Sequence, residues 1–145
     1  MLLSILMPVY NERGTIDEIL DRVLAAPLPG GVTMEVVVVD DGSCDGSRDI
    51  LERRVAADAR VRALLHERNQ GKGAAIRTAI REAAGDIAII QDADLEYDPR
   101  DYPRLLRPIL EQGADVVYGS RFASAEYRRV LFYWHAVANR LLTTY

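Results

Sequence analysis

The stretch EVVVVDDGS, residues 35–43, carries the clearest information about the fold. Its four consecutive valines are β-branched and apolar, a composition typical of a strand with both faces buried between helices. A strand with one solvent-exposed face would alternate apolar and polar residues instead. Two aspartates, a glycine and a serine follow directly, and these residues are favoured in turns and at helix starts. The stretch therefore predicts a buried parallel strand that ends in a polar turn.

Similar apolar runs of strand length alternate with segments of helical period along the rest of the chain. We predict strands at 2–9, 35–39, 61–65, 87–90 and 116–118, and helices at 16–24, around 50–55, at 71–84 and at 101–112. The alternation of strands and helices predicts an α/β fold with a mainly parallel sheet and right-handed crossovers.

Local signals mark the ends of several predicted helices. Thr15 and Glu18 have the spacing of a capping box at the start of the first helix. Gly85 is expected to end the third helix as its C′ residue, and Pro108 predicts a kink or a late start in the fourth. The apolar face of the first helix consists of Ile16, Ile19, Leu20, Val23 and Leu24.

Composition indicates a single globular domain over residues 1–145. The net charge of −4, from 18 basic and 22 acidic residues, gives no reason to expect nucleic-acid binding. Cys44 is the single cysteine, which excludes an internal disulfide and predicts a reducing, cytoplasmic location. The apolar run at 1–9 lacks a basic n-region and is too short to span a membrane, so we predict a strand and no signal peptide.

Polar residues follow each predicted strand at its carboxyl end. Ligands of parallel sheets bind beyond these ends, because the ends meet at one edge of the sheet. The clusters are Asn11 with Glu12, residues 40–43, residues 69–73, Asp92 with Asp94, and residues 119–121. We therefore expect one site built from four acidic or polar clusters and Arg121.

Asp92 and Asp94 are the sharpest of these signals. Carboxylates two residues apart on an extended segment project the same way and can share one hard cation. Such a cation would bridge the two phosphates of a nucleoside diphosphate. Acidic pairs are common at solvent-facing turns, but a pair directly after what we expect to be a buried strand at 87–90 favours a metal site. Glu96 is either a third ligand or an exposed glutamate.

Asp40 and Asp41 allow two interpretations. They form either a turn with a helix cap or a carboxylate site for a base or ribose. We favour the second interpretation, because a cap requires only one aspartate. Residues 41–52 also have the spacing of an EF-hand calcium loop. That interpretation is disfavoured, because a predicted strand precedes the loop and Arg48 stands where a hydrophobic residue is usual.

Residues 69–73, NQGKG, open the third helix, where backbone N–H groups can bind phosphate. A dinucleotide-binding fingerprint would need a third glycine at Ile76, and a Walker motif would need Ser or Thr at Gly73. Nicotinamide dehydrogenases and P-loop NTPases are therefore disfavoured. Lys72 is a candidate cation beside the nucleotide or else a solvated lysine.

Arginines and histidines elsewhere carry weaker signals. Arg121, after the fifth predicted strand, is a candidate phosphate contact. Arg128 and Arg129 either add to it or form an ordinary charged helix start. His66 and His135 lie in no catalytic-triad or metal-ligand spacing, and we expect both to be structural.

Five motifs occur in order from about Ser4 to the C-terminus. They are ILMPVYNE, VVVVDDGSCDGS, NQGKGAAIRTAI, IIQDADLEYDP and VVYGSRF. Together they resemble the family-2 glycosyltransferases with the GT-A fold, and most of all the dolichyl- or undecaprenyl-phosphate sugar transferases of the dolichol-phosphate mannose synthase type. The resemblance implies a Rossmann-like three-layer α/β/α fold. It also implies inverting, metal-dependent transfer of a hexose from a GDP-mannose or UDP-glucose type of donor to a polyprenyl phosphate.

The resemblance also assigns site residues. Those that bind the nucleotide sugar would be Pro8, Tyr10, Glu12, Asp40, Asp41, Lys72, Asp92 and Ala93. Asp92, Asp94 and Glu96 would hold Mg²⁺ or Mn²⁺, although many relatives have glutamine at the position of Glu96. The candidate catalytic residues are Asp94 and Arg121. The candidate contacts for the acceptor phosphate are Arg121, Arg128 and Arg129.

The chemistry of the acceptor separates the alternatives. A saccharide hydroxyl needs a general base, whereas a lipid phosphate is already anionic and needs only alignment and charge neutralisation. The sequence offers no evident base outside the metal site, which favours the lipid phosphate. The alternatives are a family-2 enzyme that acts on a saccharide hydroxyl, a non-catalytic nucleotide-binding module and a sugar nucleotidyltransferase. The last is disfavoured, because residues 11–14 make a poor phosphate loop.

The C-terminal stretch 128–145 has a helical pattern and contains Phe132, Tyr133 and Trp134. We favour burial of these aromatic side chains against the sheet over contact with a membrane. Relatives continue past this stretch with acceptor-binding elements. We therefore expect a truncated catalytic domain, peripheral at the cytoplasmic face of a membrane, that binds the donor and transfers sugar poorly or not at all.

Overall fold

The computed structural model describes residues 1–119, and within them strands and helices alternate as expected. The strands are β1 Leu2–Val9, β2 Thr33–Asp40, β3 Val61–Leu65 and β4 Ile87–Ile90. The helices are α1 Ile16–Leu24, α2 Ser47–Ala57, α3 Lys72–Glu82 and α4 Tyr102–Gln112, and a 3₁₀ turn at Pro99–Asp101 precedes α4. The predictions for Arg121, Arg128, Arg129 and His135, and those for the aromatic stretch 132–134, lie outside the described residues.

The four strands form one parallel sheet in the order β3-β2-β1-β4. Val9 at the end of β1 pairs with Asp40 at the end of β2, and Asp40 in turn pairs with Leu65. On the other side of β1, Leu6 pairs with Ile90 at the end of β4. The carboxyl ends of all four strands therefore lie along one edge, and the predicted α/β class with a parallel sheet is confirmed.

Helices cover both faces of the sheet. On one face α1, α2 and α4 pack against β1 and β2, and on the other face α3 packs through Ala75 and Ala79 against Leu6, Val37 and Val39. The valines at 36–39 are completely buried, alternating between the two layers. Burying each of these side chains contributes about 1.5–3 kcal/mol, which explains why this run dominates the fold.

The predicted capping box at α1 does not form. Thr15 makes no side-chain cap bond. Its hydroxyl donates instead to the Glu12 carboxylate at 2.7 Å, because Glu12 lies within reach on the preceding turn. Glu18 forms an ion pair with Arg22, one helical turn further on.

Gly85 is not the C′ residue of α3. The helix ends at Glu82, and Ala83 at its cap is already extended. A Cβ on Gly85 would lie 2.5 Å from Ser4 Oγ and 2.8 Å from the carbonyl oxygen of Leu2. The glycine is therefore needed for close approach to β1. In α4 the proline at 108 lies inside the helix, which begins at Tyr102, one residue later than predicted.

Two expectations about the β4 side of the sheet are wrong. Residues 116–118 form no strand, and the side chains of Val116 and Tyr118 are 64% and 90% exposed. Strand pairing needs a partner ladder, which local β-propensity cannot supply. The strand β4 is also only partly buried, with Ile90 52% exposed. The cause is that α3 packs on β1 and β2, leaving this end of the described sheet without a covering helix on that face.

Candidate functional site

A cleft of about 240 Å³ lies at the carboxyl ends of the strands. Its lining combines residues from the ends of β1, β2 and β4 with the start of α3. The lining residues are Pro8, Val9, Tyr10, Glu12, Asp41, Asn69, Lys72, Ala75, Asp92, Ala93 and Asp94. Four of the five predicted polar clusters therefore meet in one place. The fifth lies at the limit of the described residues.

Asp92 and Asp94 lie on the loop that follows β4, and both carboxylates reach the cleft. Lys72 Nζ forms an ion pair with Asp92 Oδ1 at 2.6 Å. The backbone N–H of Glu96 donates to Asp94 Oδ1 at 3.0 Å. Each aspartate thus keeps its second carboxylate oxygen for a ligand, as far as the described part of the chain shows.

These two aspartates fit a hard divalent cation that shares its coordination with phosphate. Within residues 1–119, no three His, Cys, Asp or Glu side chains are grouped to hold a metal ion. Mg²⁺ is usually held by one or two carboxylates plus substrate phosphates and water, and a complete protein cage is unusual for it. The pair Asp92 and Asp94 supplies this donor set, and Glu96 as a metal ligand stays a prediction.

The buried side chain of Gln91 fixes the loop that carries the two aspartates. Its amide nitrogen donates to the carbonyl oxygens of Asp92 and Tyr97, at 3.1 and 3.2 Å. Its amide oxygen accepts from the Tyr102 hydroxyl at 2.8 Å, and burial raises the pKa of Tyr102, so that hydroxyl remains a donor. Gln91 was not among the residues predicted for the site. The signal available was a single polar residue between a strand and the carboxylate pair.

Asp41 reaches the cleft from the end of β2 and is almost fully buried. Its carboxylate accepts hydrogen bonds from the ring of His66 at 2.6 Å and from the backbone N–H groups of Gln70 and Gly71, the shortest at 2.7 Å. Burial alone would raise the pKa of Asp41, but these hydrogen bonds outweigh it and the net shift is downward. Asp41 is therefore an ionised acceptor that also anchors the loop before α3.

Asp40 occupies a different environment. Its carboxylate is completely buried, with Oδ2 accepting from the Arg48 guanidinium at 2.6 Å and from the Ser43 backbone N–H at 3.1 Å. Its Oδ1 has no hydrogen-bond partner in the described structure. Asp40 does not line the cleft. Its contact with a base or ribose stays a prediction, and the structure shows a bond to Arg48 that sequence reasoning did not find.

The loop after β2 holds the segment that follows β1 in position. The hydroxyls of Ser43 and Ser47 accept the backbone N–H groups of Asn11 and Glu12, each at 2.9 Å. Gly42 makes this packing feasible. It has φ +81°, and a Cβ there would lie 2.6 Å from the Arg68 backbone. These contacts fix the segment that presents Tyr10 and Glu12 to the cleft.

The calcium-loop interpretation of residues 41–52 does not fit the structure. The strand β2, and no helix, precedes the loop. Asp45 is already used, because its carboxylate accepts from the Ser47 hydroxyl at 2.6 Å and from the Arg13 backbone N–H at 2.9 Å. The EF-hand interpretation, which the sequence disfavoured, is therefore wrong, and the loop connects β2 to α2.

Comparison with curated proteins finds relatives that are named as undecaprenyl-phosphate sugar transferases. The chain is 45% identical over 115 residues to the undecaprenyl-phosphate 4-deoxy-4-formamido-L-arabinose transferase of Pseudomonas syringae pv. syringae, covering 79% of this chain and 34% of the relative. It is 43% identical to the protein of the same name from Edwardsiella ictaluri, covering 79% and 35%. The chain thus spans about a third of the length of these relatives.

Solved structures share the fold. The mannosyltransferase PcManGT from Pyrobaculum calidifontis, in complex with GDP-Man and Mn²⁺, superposes with a TM-score of 0.60 and 34% identity, covering 69% of this chain and 29% of that one. Glucosyl-3-phosphoglycerate synthase from Mycobacterium tuberculosis, in complex with UDP, gives 0.58 and 30%, covering 76% and 40%. These are GT-A glycosyltransferases, so the predicted GT-A fold is confirmed.

The family model for glycosyl transferase family 2 matches residues 4–137, nearly the whole chain. The match includes every segment that lines the cleft. The resemblance inferred from the five motifs is therefore correct, and the chain belongs to glycosyl transferase family 2.

Proposed function

We propose that this chain binds a nucleotide diphosphate sugar in the cleft, and that the protein transfers the sugar to a polyprenyl phosphate with inversion and with a divalent metal. One observation carries the donor half of the proposal. An exposed aromatic ring, an ionised carboxylate, a lysine and an aspartate pair line a single cleft at the end of a parallel sheet. In the same order, these groups match the base, the hydrogen-bond donors of the nucleoside, the phosphates and the metal ion of a bound nucleotide sugar.

The nucleoside end of the donor would lie against β1 and β2. Tyr10 is 47% exposed at this end, offering an aromatic face for a base, and Pro8 and Glu12 lie on the same segment. The His66 ring and the N–H groups of Gln70 and Gly71 donate to Asp41, and the Gln70 N–H is shared between both carboxylate oxygens. A shared N–H bonds each oxygen weakly, so one of its two acceptor positions can take a further donor. A base or ribose N–H or O–H group is the donor that such a position accepts.

The diphosphate end would lie between α3 and the loop after β4. The Lys72 ammonium and the two aspartates face each other across the cleft. Mg²⁺ or Mn²⁺ held by Asp92 and Asp94 would neutralise the charge that builds on the diphosphate as it leaves. Ala93 lies between the aspartates with its small side chain buried, which allows close approach of the donor. PcManGT, whose structure holds GDP-Man and Mn²⁺, supports this arrangement.

The acceptor half rests on the relatives. Those 42–45% identical are named as undecaprenyl-phosphate sugar transferases. A phosphate oxygen of the lipid would attack the anomeric carbon while the bond to the diphosphate breaks, so no general base is needed.

In residues 1–119 the longest helices have 11 residues, about 17 Å, short of the roughly 30 Å of a bilayer core. We infer peripheral association with the cytoplasmic face of a membrane, with Arg121, Arg128 and Arg129 as contacts for the acceptor phosphate.

The donor proposal is tested by thermal unfolding with UDP- and GDP-sugars, with and without Mn²⁺. We expect stabilisation that requires the metal and disappears in Asp92→Asn and in Asp94→Asn. Glu111→Gln is the control, because this glutamate forms an exposed ion pair with Arg107 on α4, outside the cleft. Stabilisation that survives in both aspartate variants would refute the metal site.

The acceptor proposal needs a separate measurement. Farnesyl monophosphate is a water-soluble probe for a polyprenyl phosphate, and farnesol is its uncharged counterpart. With a saturating UDP- or GDP-sugar and Mn²⁺ present, we expect further stabilisation by the phosphate and none by the alcohol. Stabilisation by a free saccharide, with none by farnesyl monophosphate, would instead support a family-2 enzyme that glycosylates a hydroxyl.

A further inference from the structure

The side chain and backbone of His66 are fixed by four polar contacts. Its backbone N–H donates to the carbonyl of Asp40 at 2.9 Å, and its carbonyl accepts from the Arg48 guanidinium at 2.5 Å. On the ring, Nδ1 lies 2.6 Å from Asp41 Oδ1 and Nε2 lies 3.0 Å from the Thr78 hydroxyl. His66 thereby joins the end of β3 to β2 and α3.

These contacts specify which ring nitrogen donates to Asp41. A carboxylate can only accept, so the proton lies on Nδ1 and is donated to Asp41. In the neutral ring Nε2 is then an acceptor, and the Thr78 hydroxyl is its donor. With both ring nitrogens engaged and the side chain 11% exposed, one ring orientation is selected.

His66 does not line the cleft, but its partner Asp41 does. The other donors to Asp41, the N–H groups of Gln70 and Gly71, belong to the loop that leads into α3 and Lys72. His66, directly after β3, supplies the side-chain donor to Asp41. Losing it would free the carboxylate to turn toward that loop and away from the cleft.

We propose that His66 is a positioning residue of the donor site, which holds the Asp41 carboxylate in the orientation that accepts a hydrogen bond from the nucleoside. This inference rests on the proposed function, because it assigns His66 a role in nucleotide affinity through a residue of that cleft. A purely structural histidine would affect stability and leave the affinity for nucleotide unchanged once the protein is folded.

Two substitutions of His66 each keep one of the two ring contacts and remove the other. Asparagine places an amide N–H group near the position of Nδ1, so His66→Asn keeps a donor for Asp41. Glutamine reaches the position of Nε2, so His66→Gln keeps a partner for Thr78 and leaves Asp41 without its side-chain donor. We expect His66→Gln to weaken binding of UDP or GDP, whichever the wild type binds, by about tenfold, and His66→Asn to stay within about threefold of wild type.

Ser4→Ala is the matched control for lost stability. The Ser4 hydroxyl is buried and donates to Glu35 at 2.6 Å, but it lies near the amino ends of the strands. Its removal should lower the melting temperature and leave the dissociation constant for nucleotide within about twofold of wild type. Calorimetric titration with UDP and with GDP, in the presence of Mn²⁺, measures the affinity of each variant.

The outcomes are distinguishable. Wild-type affinity in His66→Gln, or equal weakening in the asparagine and glutamine variants, overturns the positioning role and leaves the proposed function standing. No binding of either nucleotide by the wild type overturns both. If His66→Gln does not fold, Thr78→Val replaces it, since this variant keeps the histidine and releases one side of its ring. About threefold weaker binding in Thr78→Val supports the proposal, and unchanged binding overturns it.

Discussion

Lys72 Nζ lies 2.6 Å from Asp92 Oδ1, joining the first turn of α3 to the loop after β4 across the cleft. Lysine at this position was expected to be either a cation beside the nucleotide or a solvated side chain. The contact with Asp92 favours the first interpretation, because it places the ammonium where the diphosphate and its metal are proposed to bind. We therefore expect the lysine to compete with a metal ion for Asp92 and to attract the phosphates.

Substitution of Lys72 tests this double role. In Lys72→Gln we expect Mn²⁺ alone to bind up to about threefold more tightly, because a competing cation is gone, and the nucleoside diphosphate to bind more weakly. The free Mn²⁺ signal in electron paramagnetic resonance measures the first effect and calorimetric titration measures the second. Lys72→Arg keeps the charge and is the control. A variant that changes both affinities in the same direction would contradict the competition.

The Gln91 amide holds the loop that carries Asp92 and Asp94, so we expect its substitution to lower the stability of the protein. Gln91→Leu leaves the Tyr102 hydroxyl and two backbone carbonyls without their partner, and should lower the free energy of unfolding by about 2–3 kcal/mol. Tyr102→Phe removes only the hydroxyl and should cost about 1 kcal/mol. Urea unfolding of both single variants and the double variant measures the coupling. Strictly additive losses would show that Gln91 and Tyr102 do not act on each other.

Substitution of Gly85 should create a steric clash far from the cleft. Gly85→Ala places a methyl group 2.8 Å from the Leu2 carbonyl oxygen, a backbone atom that cannot turn aside, and should cost about 1–3 kcal/mol of unfolding free energy. Gly30→Ala is the matched control, because nothing lies within 4 Å of the added Cβ. Urea unfolding checks both variants. Equal stability of the two would mean that the close approach to β1 is not maintained in solution.

Acid should destabilise the protein partly through Asp41. Its pKa in the folded state lies below the ordinary value, so the unfolded chain binds more protons in acid. The stabilisation is therefore fully present above about pH 4, the unfolded pKa, and is lost as the pH falls through the folded value. Urea unfolding at pH 6, 4 and 3 should show a shallower decline in Asp41→Asn than in the wild type. Parallel declines would contradict this contribution.

Several features of the fold and site follow from local sequence alone. The valine run at 36–39 and the apolar face of α1 were assigned correctly, because the period of side-chain burial is set by the strand or helix itself. The carboxylate pair and three of the other polar clusters were assigned to one edge, because parallel strands place their carboxyl ends together. Five ordered motifs were enough to identify the family.

Other features were decided by tertiary contacts between distant residues. The bond from His66 to Asp41 spans 25 positions, and the close approach of Gly85 to Ser4 spans 81. No periodic pattern in the sequence predicts either contact. The segment 116–118 has strand propensity but forms no strand, because pairing requires a neighbour. The sequence thus determined which residues stand at the strand ends. Only the packing of loops from separate strands decided that Asp41 faces the cleft with His66 behind it, while Asp40 is buried against Arg48.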